Sequence, residues 1–484
     1  MGFYVWPKEN LVYAPSSQQP NLDRALEEMP DSEKIVFSLF SDKEKVKKLF
    51  TFLTLEHKKG RDSFDVERFG MFKAIFRNFG DIFLENFRTE IETLVGDHRE
   101  SFQRAAAELL ASIIRGSKHW PYQKIENMWS WILPAIRTAL NHVSPETQRD
   151  WGTCFATSSE NRDPNRLHWL MEVAMENPIR SQGSFIDASR LYMLQGVVAQ
   201  QRWRVGKLLH RLLEFLIPFL DHPFHNVRSR LGAVLTNVFA LDLEFGDFGN
   251  ASVSSPIEKD FVFQILPRLK VLQDTEEKDE NALRLLQTVS KWICCSLVQN
   301  IGPMKIHTLQ FLPILLQYEW YDRDPQLARD CQVSLSFLSR SLLPVPLLNP
   351  LCSILQQTIN SDSWRTKLST LDFLQAVIFN NFIQIWNKGP ETKNIVLDVV
   401  GSGLIDDQLE VRVKSSQVQS SYLCLEIWIL EKPESYSFLN FRLTCLCFIL
   451  QKLFHPPSLF FIFEILDFFP RMIFLVHFAE NLIN

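Results

Sequence analysis

The chain has 484 residues, 46% of them apolar and 22% charged, with 39 Phe against 17 Gly. A chain of this length holds two to four globular units or one long repeat array, and its ordinary charge and hydrophobicity exclude collagen-like and disordered classes. Lys plus Arg is 51 and Asp plus Glu is 56, so the net charge of −5 provides no global field to hold a polyanion.

The first residues, Met1 to Asn10, lack the basic-then-apolar order of a signal peptide, and Trp6 stands where myristoylation needs Ser or Thr. Neither secretion nor N-terminal acylation is expected. Residues 1–30 read as an irregular segment, and from Asp31 onward apolar residues recur at helical spacing, as in Phe69, Phe72, Ile75, Phe76 and Phe79. Breaks fall at Asn161-Arg162-Asp163-Pro164, at the Gly246 to Pro256 loop and at Asn387-Lys388-Gly389-Pro390. The pattern predicts an all-α fold.

Four segments share an apolar-apolar-Pro-x-apolar core, centred on Pro134, Pro218, Pro267 and Pro313. These prolines stand 84, 49 and 46 residues apart, close to once or twice the ~40–47 residues of a HEAT-type helix pair. A degenerate pair between Pro134 and Pro218 accounts for the doubling. Proline in the first helix removes a backbone donor and bends it. A second signal follows at the expected turn: Asp221 then Arg228, Asp322 then Arg329, and weaker echoes ending in Arg365 and Arg412. An Asp there can cap the next helix, and the Arg can pair with the Asp of an adjacent repeat. A HEAT-like, armadillo-type α-solenoid over 31–412 is the predicted architecture.

No GxxxxGK[ST], HExxH or GxSxG string occurs, and Gly401-Ser402-Gly403 lacks the third Gly of a dinucleotide loop. No enzyme activity, cofactor or metal is expected; Asp221, His222 and His225 read as a surface turn rather than a metal site. The eight cysteines show no CxxC pair or framework spacing and read as reduced thiols, with Cys294 and Cys295 as buried small residues. Lys43, Lys45, Lys47 and Lys48, with His57, Lys58, Lys59 and Arg61, read as a solvated face because Glu44 and Glu56 interleave them. Arg202, Arg204 and Lys207 flank a core Trp203, so no direct nucleic-acid contact is expected.

Residues 413–484 differ in composition: 11 Phe, no Gly and one Ala, Ala479. They read as a divergent apolar tail, of intron or alternative-exon origin. Its most apolar run, Ser458 to Phe478, holds Glu464, Asp467, Pro470 and Arg471, so no membrane span is expected.

The segments GFYVWPKENLVYAPSSQQP, RDSFDVERFGMFKAIFRNFGD and FLIPFLDHPFHNVRSRLGAVL, and the Trp-rich stretch from His119 to Leu170, resemble the large HEAT-repeat proteasome activator family. The resemblance runs from Gly2 to Arg412, and family members are several-fold longer. It implies an ATP-independent, non-catalytic cap on the α-ring of the proteasome core particle. Such a cap promotes ubiquitin-independent degradation of peptides and acetylated histones in nucleus and cytosol, linked to DNA repair and spermatogenesis. The family's docking tail ends hydrophobic-Tyr-any, whereas this chain ends Leu482-Ile483-Asn484, so the resemblance carries no gate-opening tail onto these residues. It carries no acetyl-lysine pocket beyond Arg412 either. A chromatin adaptor for acetylated histones and a truncated isoform without activator function are the alternative readings.

Overall fold

The computed structural model describes residues 26–55, 62–160, 168–176, 184–201, 209–240, 244–245, 253–254, 256–274, 279–298 and 305–430. The chain divides into two compact units, Met1–Ser415 and Ser416–Asn484. The first helices are α1 (Asp31–Phe40), α2 (Lys43–Leu53), α3 (Val66–Phe79), α4 (Leu84–Gly96), α5 (Glu100–Gly116), α6 (Tyr122–Asn141) and α7 (Gln148–Ser159). They are followed by α8 (His168–Ala174), α9 (Ser184–Gln201), α10 (Leu209–Leu216), α11 (His225–Phe239), α12 (Pro256–Asp274) and α13 (Glu280–Val298). The last are α14 (Leu312–Tyr318), α15 (Pro325–Arg340), α16 (Leu348–Ile359), α17 (Trp364–Lys388), α18 (Pro390–Leu404) and α19 (Leu409–Leu430).

Packing sorts these helices into two layers. Odd-numbered helices from α3 to α17 each pack on the next odd one, and even-numbered helices form a parallel row in which α4 meets α6, α6 meets α8, and α12, α14, α16 and α18 follow in turn. A helix pair buries its apolar stripe only by stacking on the pairs before and after it, which is the logic of a solenoid. The all-α, HEAT-like architecture predicted from the periodicity is the one the chain adopts. The described residues add only one short ladder to it, Glu244–Phe245 antiparallel to Val253–Ser254, in the link between α11 and α12.

Local chemistry starts and stops the helices. Asp42 and Asp65 accept backbone N–H bonds at the N-termini of α2 and α3, satisfying donors the helix cannot. The four prolines all fall in the even layer but do two different things. Pro134 and Pro267 lie inside α6 and α12, whereas Pro218 sits in the 3-10 turn Ile217–Phe219 that ends α10, and Pro313 lies in the first turn of α14. At a helix start the missing N–H has no partner to lose, so Pro313 does not bend its helix. The short α8 and α9 occupy the interval between Pro134 and Pro218.

The Phe excess is spent between helices. Phe40, Phe50, Phe72 and Phe76, from α1, α2 and α3, place their rings 5.3–5.9 Å from that of Phe87 on α4. Further along, Phe239, Phe261 and Phe311 surround Trp292 at 5.1–6.0 Å. Edge-to-face and tilted contacts of this kind add to area burial. Where α11 meets α13 no side chain fits at all: a Cβ on Gly232 would lie 2.7 Å from the Trp292 amide nitrogen.

The boundary expected at 412 falls inside a helix. α19 runs unbroken from Leu409 to Leu430, and Val411, Lys414, Ser415, Val418 and Tyr422 are all buried along it. Helical order therefore extends past the boundary expected at 412. The described part of 413–484 is this helix; residues 431–484, and with them the apolar tail and its ending, lie outside the described residues.

Candidate interaction surface

Turn acids do make ion pairs across neighbouring helix pairs, but mostly with residues other than the arginines expected from the sequence. Asp221 caps nothing: α11 has no side-chain cap, and Asp221 instead accepts from Arg268 on α12 at 2.6 Å. In the later turn the cap of α15 is Asp324, which accepts from Gln326 and Leu327 N–H at 3.0 Å. Asp322, two residues earlier, pairs with Arg365 on α17 at 2.6 Å. Asp406 takes Lys367 on α17 at 2.6 Å. Turn acids thus split between capping their own helix and reaching a neighbouring pair, and sequence position does not say which.

The arginines divide as well. Arg365 makes the ladder bond and also donates to the Trp320 carbonyl at 3.3 Å. Arg329 is exposed on α15 and joins no rung of this ladder, contrary to expectation. Arg228 is buried; its guanidinium donates to the His222 and Pro223 carbonyls and to Gln287 Oε1, and Gln287 donates in turn to Asp324 at 3.0 Å. Arg412 repeats half of this device by donating to the Asp406 and Asp407 carbonyls at 2.6 and 2.9 Å. In both cases the Arg in the fourth position of a helix hooks carbonyls five and six residues upstream, closing the turn.

The same edge of the stack carries exposed apolar side chains: Phe224, Trp320, Trp364, Ile405 and Leu409, all at turns leading from an even helix to an odd one. Trp320 is anchored, its indole N–H donating to Ser369 Oγ at 2.9 Å. With acidic Asp322, Asp362 and Asp407 interspersed and exposed, this is a mixed apolar and charged ridge of the kind used for protein contacts.

Two buried charge clusters escape a reading by composition. Where α3, α5 and α7 stack, Glu108 accepts from the Asp65 N–H at 2.7 Å and lies 3.4 Å from Arg68, while Asp150 accepts from the Phe64 N–H at 2.9 Å and from Arg104 at 3.2 Å. Burial pushes the Glu108 carboxyl up to about 7, against the opposing pull of Arg68 and the Asp65 amide. It raises Asp150 too, against Arg104. The available signal is spacing: Asp65 and Glu108 are 43 residues apart and Arg104 and Asp150 are 46, one repeat each. In the second cluster Glu258 pairs with Lys305, and His307 Nε2 lies 3.3 Å from Glu258 Oε1.

Indole and phenol donors add further ties of one repeat length. Trp120 Nε1 donates to the Phe76 carbonyl at 2.8 Å, Trp151 Nε1 to Gln103 at 3.1 Å, and Tyr318 to the Leu272 carbonyl at 3.1 Å. Trp120 and Trp151, from the stretch that begins at His119, are thus fasteners within the stack.

The remaining sequence candidates separate. His222 is buried and its Nδ1 accepts from the Phe224 N–H at 3.3 Å, whereas His225 is exposed, so the two rings do not converge. Burial raises the thiols of Cys294 (to about 11) and Cys295, which leaves them protonated and weakly nucleophilic at neutral pH. Lys43, Lys45, Lys47 and Lys48 are exposed on α2 around the buried Val46 and Phe50. His57 to Arg61 and the cluster around Trp203 lie outside the described residues.

Layered helix pairs tied at intervals of one repeat define an α-solenoid scaffold of the HEAT class. A family model described as "Proteasome activator complex subunit 4-like, HEAT repeat-like" matches residues 1–196. Proteasome activator complex subunit 4 of Bos taurus and that of Homo sapiens are each 40% identical over 460 aligned residues, covering 90% of this chain and 25% of theirs. The Xenopus laevis protein of the same name is 41% identical over 444, covering 87% and 24%. The chain belongs to the proteasome activator complex subunit 4 family, and it spans about a quarter of the length of the curated relatives it matches.

Proposed function

We propose that this chain is a segment of a non-catalytic proteasome activator, acting as an interaction scaffold against the α-ring of the core particle. The observation that carries the reading is the 40% identity over 90% of the chain to relatives bearing that name. The turn ridge of Trp320, Trp364, Ile405 and Leu409 supports it as the contact edge, since apolar anchors rimmed by charge suit a protein partner. In this reading the scaffold works without ATP or ubiquitin, on peptides and acetylated histones, in nucleus and cytosol, in the settings of DNA repair and sperm maturation.

The test is co-sedimentation of the full chain with purified core particle, scored in parallel by hydrolysis of a fluorogenic peptide. Co-sedimentation is the expected result, and loss of it in a Trp320→Ala, Trp364→Ala double variant would place the contact on the ridge. Absence of co-sedimentation at micromolar concentrations of both would sink the scaffold role and leave the chromatin adaptor or an inactive isoform.

A further inference from the structure

Two imidazoles meet on the edge where even helices turn into odd ones. His98 stands in the turn between α4 and α5, and His142 closes the C-terminus of α6 one repeat later. Their rings lie edge to face with centroids 4.5 Å apart. Because α4 and α6 pack on each other in the even layer, the fold itself makes these two turns neighbours. The histidines are far apart in the sequence and share no metal-binding spacing there.

The hydrogen bonding of His142 commits one ring nitrogen and leaves the other. Nδ1 lies 3.2 Å from the Val95 carbonyl, and a carbonyl can only accept, so Nδ1 carries the proton and Nε2 presents a bare lone pair. A backbone carbonyl behind one ring nitrogen is the arrangement that orients metal-ligating histidines. The Val95 carbonyl is itself fixed, since Gln103 Nε2 donates to it at 2.9 Å and Gln103 Oε1 accepts from Trp151. His142 is thus held half-buried, while His98 is exposed and can turn about its side-chain bonds.

Electrostatics at this edge suits a cation. His98 follows the C-terminus of α4 and His142 caps that of α6, so the negative poles of two helix dipoles lie beside the pair. Asp97 and Arg99, the charged neighbours of His98 in its turn, neutralise each other at 2.6 Å. Among the described residues no group of three or more His, Cys, Asp or Glu side chains forms a metal cluster, so a two-nitrogen site is the most that this edge provides.

We propose that His98 and His142 bind a divalent transition-metal ion of the zinc class between adjacent helix pairs. Nε2 of His142 and a ring nitrogen of His98 are its protein ligands, and water completes the shell. Imidazole nitrogen suits Zn²⁺, Ni²⁺ and Cu²⁺, whereas Mg²⁺ and Ca²⁺ take oxygen. His98 rotates out of its edge-to-face contact so that both lone pairs meet the ion at about 2.0–2.1 Å. Bound there, the ion fastens the turn after α4 to the turn after α6, a clip whose strength follows the free metal concentration. The site uses no residue of the turn ridge and is independent of docking to the core particle.

The test is calorimetric titration of ZnCl₂ into the full 484-residue chain, freed of metal with a chelator and carrying no affinity tag. His98→Ala and His142→Asn are compared with the parent, since the Asn amide keeps a donor for the Val95 carbonyl and removes Nε2. The parent should bind an additional Zn²⁺ that both variants lose or hold at least tenfold more weakly. Zn²⁺ should also raise the melting midpoint of the parent more than that of either variant, and MgCl₂ should do neither. Equal zinc binding by parent and variants would assign the metal to other side chains, and no binding by the parent would remove the site; either result overturns the proposal. If His142→Asn does not fold, His98→Ala at the exposed position decides alone.

Discussion

Glu108 shows what burial does to a single residue. Its carboxylate is the acceptor for the Asp65 N–H and the neighbour of Arg68, but with two other carboxylates, Asp65 and Asp150, acting on it, desolvation wins and the carboxyl rises to about 7. A carboxyl whose folded pKa lies above its unfolded one holds a proton in the native state that the unfolded chain has already lost. Its stabilising contribution is complete below the unfolded value near 4.5 and is lost as pH rises through about 7. The lost contribution is on the order of 3 kcal/mol. Glu108→Gln keeps an acceptor for the Asp65 N–H and removes the titration. Thermal melts between pH 5 and pH 8 should then show a flatter pH dependence than the parent chain; parallel curves would refute the role assigned to Glu108.

At the scale of elements, two of the turns that join even to odd helices are closed by an arginine that hooks backbone carbonyls, Arg228 on α11 and Arg412 on α19. Arg228→Ala would leave the His222 and Pro223 carbonyls and Gln287 Oε1 without their donor. Loss of about 2–4 kcal/mol is expected, seen as a lowered melting midpoint, whereas Arg329→Ala on the exposed face of α15 should change stability by less than about 0.5 kcal/mol. Equal effects would contradict the assignment. The repeat length was legible in the prolines because a residue that interrupts helical hydrogen bonding recurs where each first helix starts, bends or ends. The partners were not legible, because Asp221, Asp322 and Asp324 are chemically alike and only the path of the turn decides which one caps and which reaches Arg268 or Arg365. The burial of Glu108 and Asp150 is illegible in the sequence for a related reason. In a single chain a buried carboxylate reads like a surface one until the helix above it is placed.

Across the whole molecule, the stack has no central core, so its stability is a sum of neighbour contacts and depends on how each end is finished. Residues just past 412 belong to these neighbour contacts: Lys414 donates to Gln375 and pairs with Asp372, and Ser415 donates to the Val400 carbonyl at 3.2 Å. A chain ending at 412 should therefore melt at least about 3 °C below one ending at 430 and show lower helicity by circular dichroism. Equal midpoints would mean that residues 413–430 of α19 add nothing to the stability of the stack.

Most ties between helix pairs join one pair to the next, so a tensile load applied along the stack would pass through each interface in series. The bond from the Phe64 N–H to Asp150 is different, because it spans 86 residues and two interfaces at once. Together with the Arg104 and Glu108 contacts it puts a second strand in parallel across α3, α5 and α7. That block should therefore resist bending more than a stretch of the stack whose ties each cross a single interface.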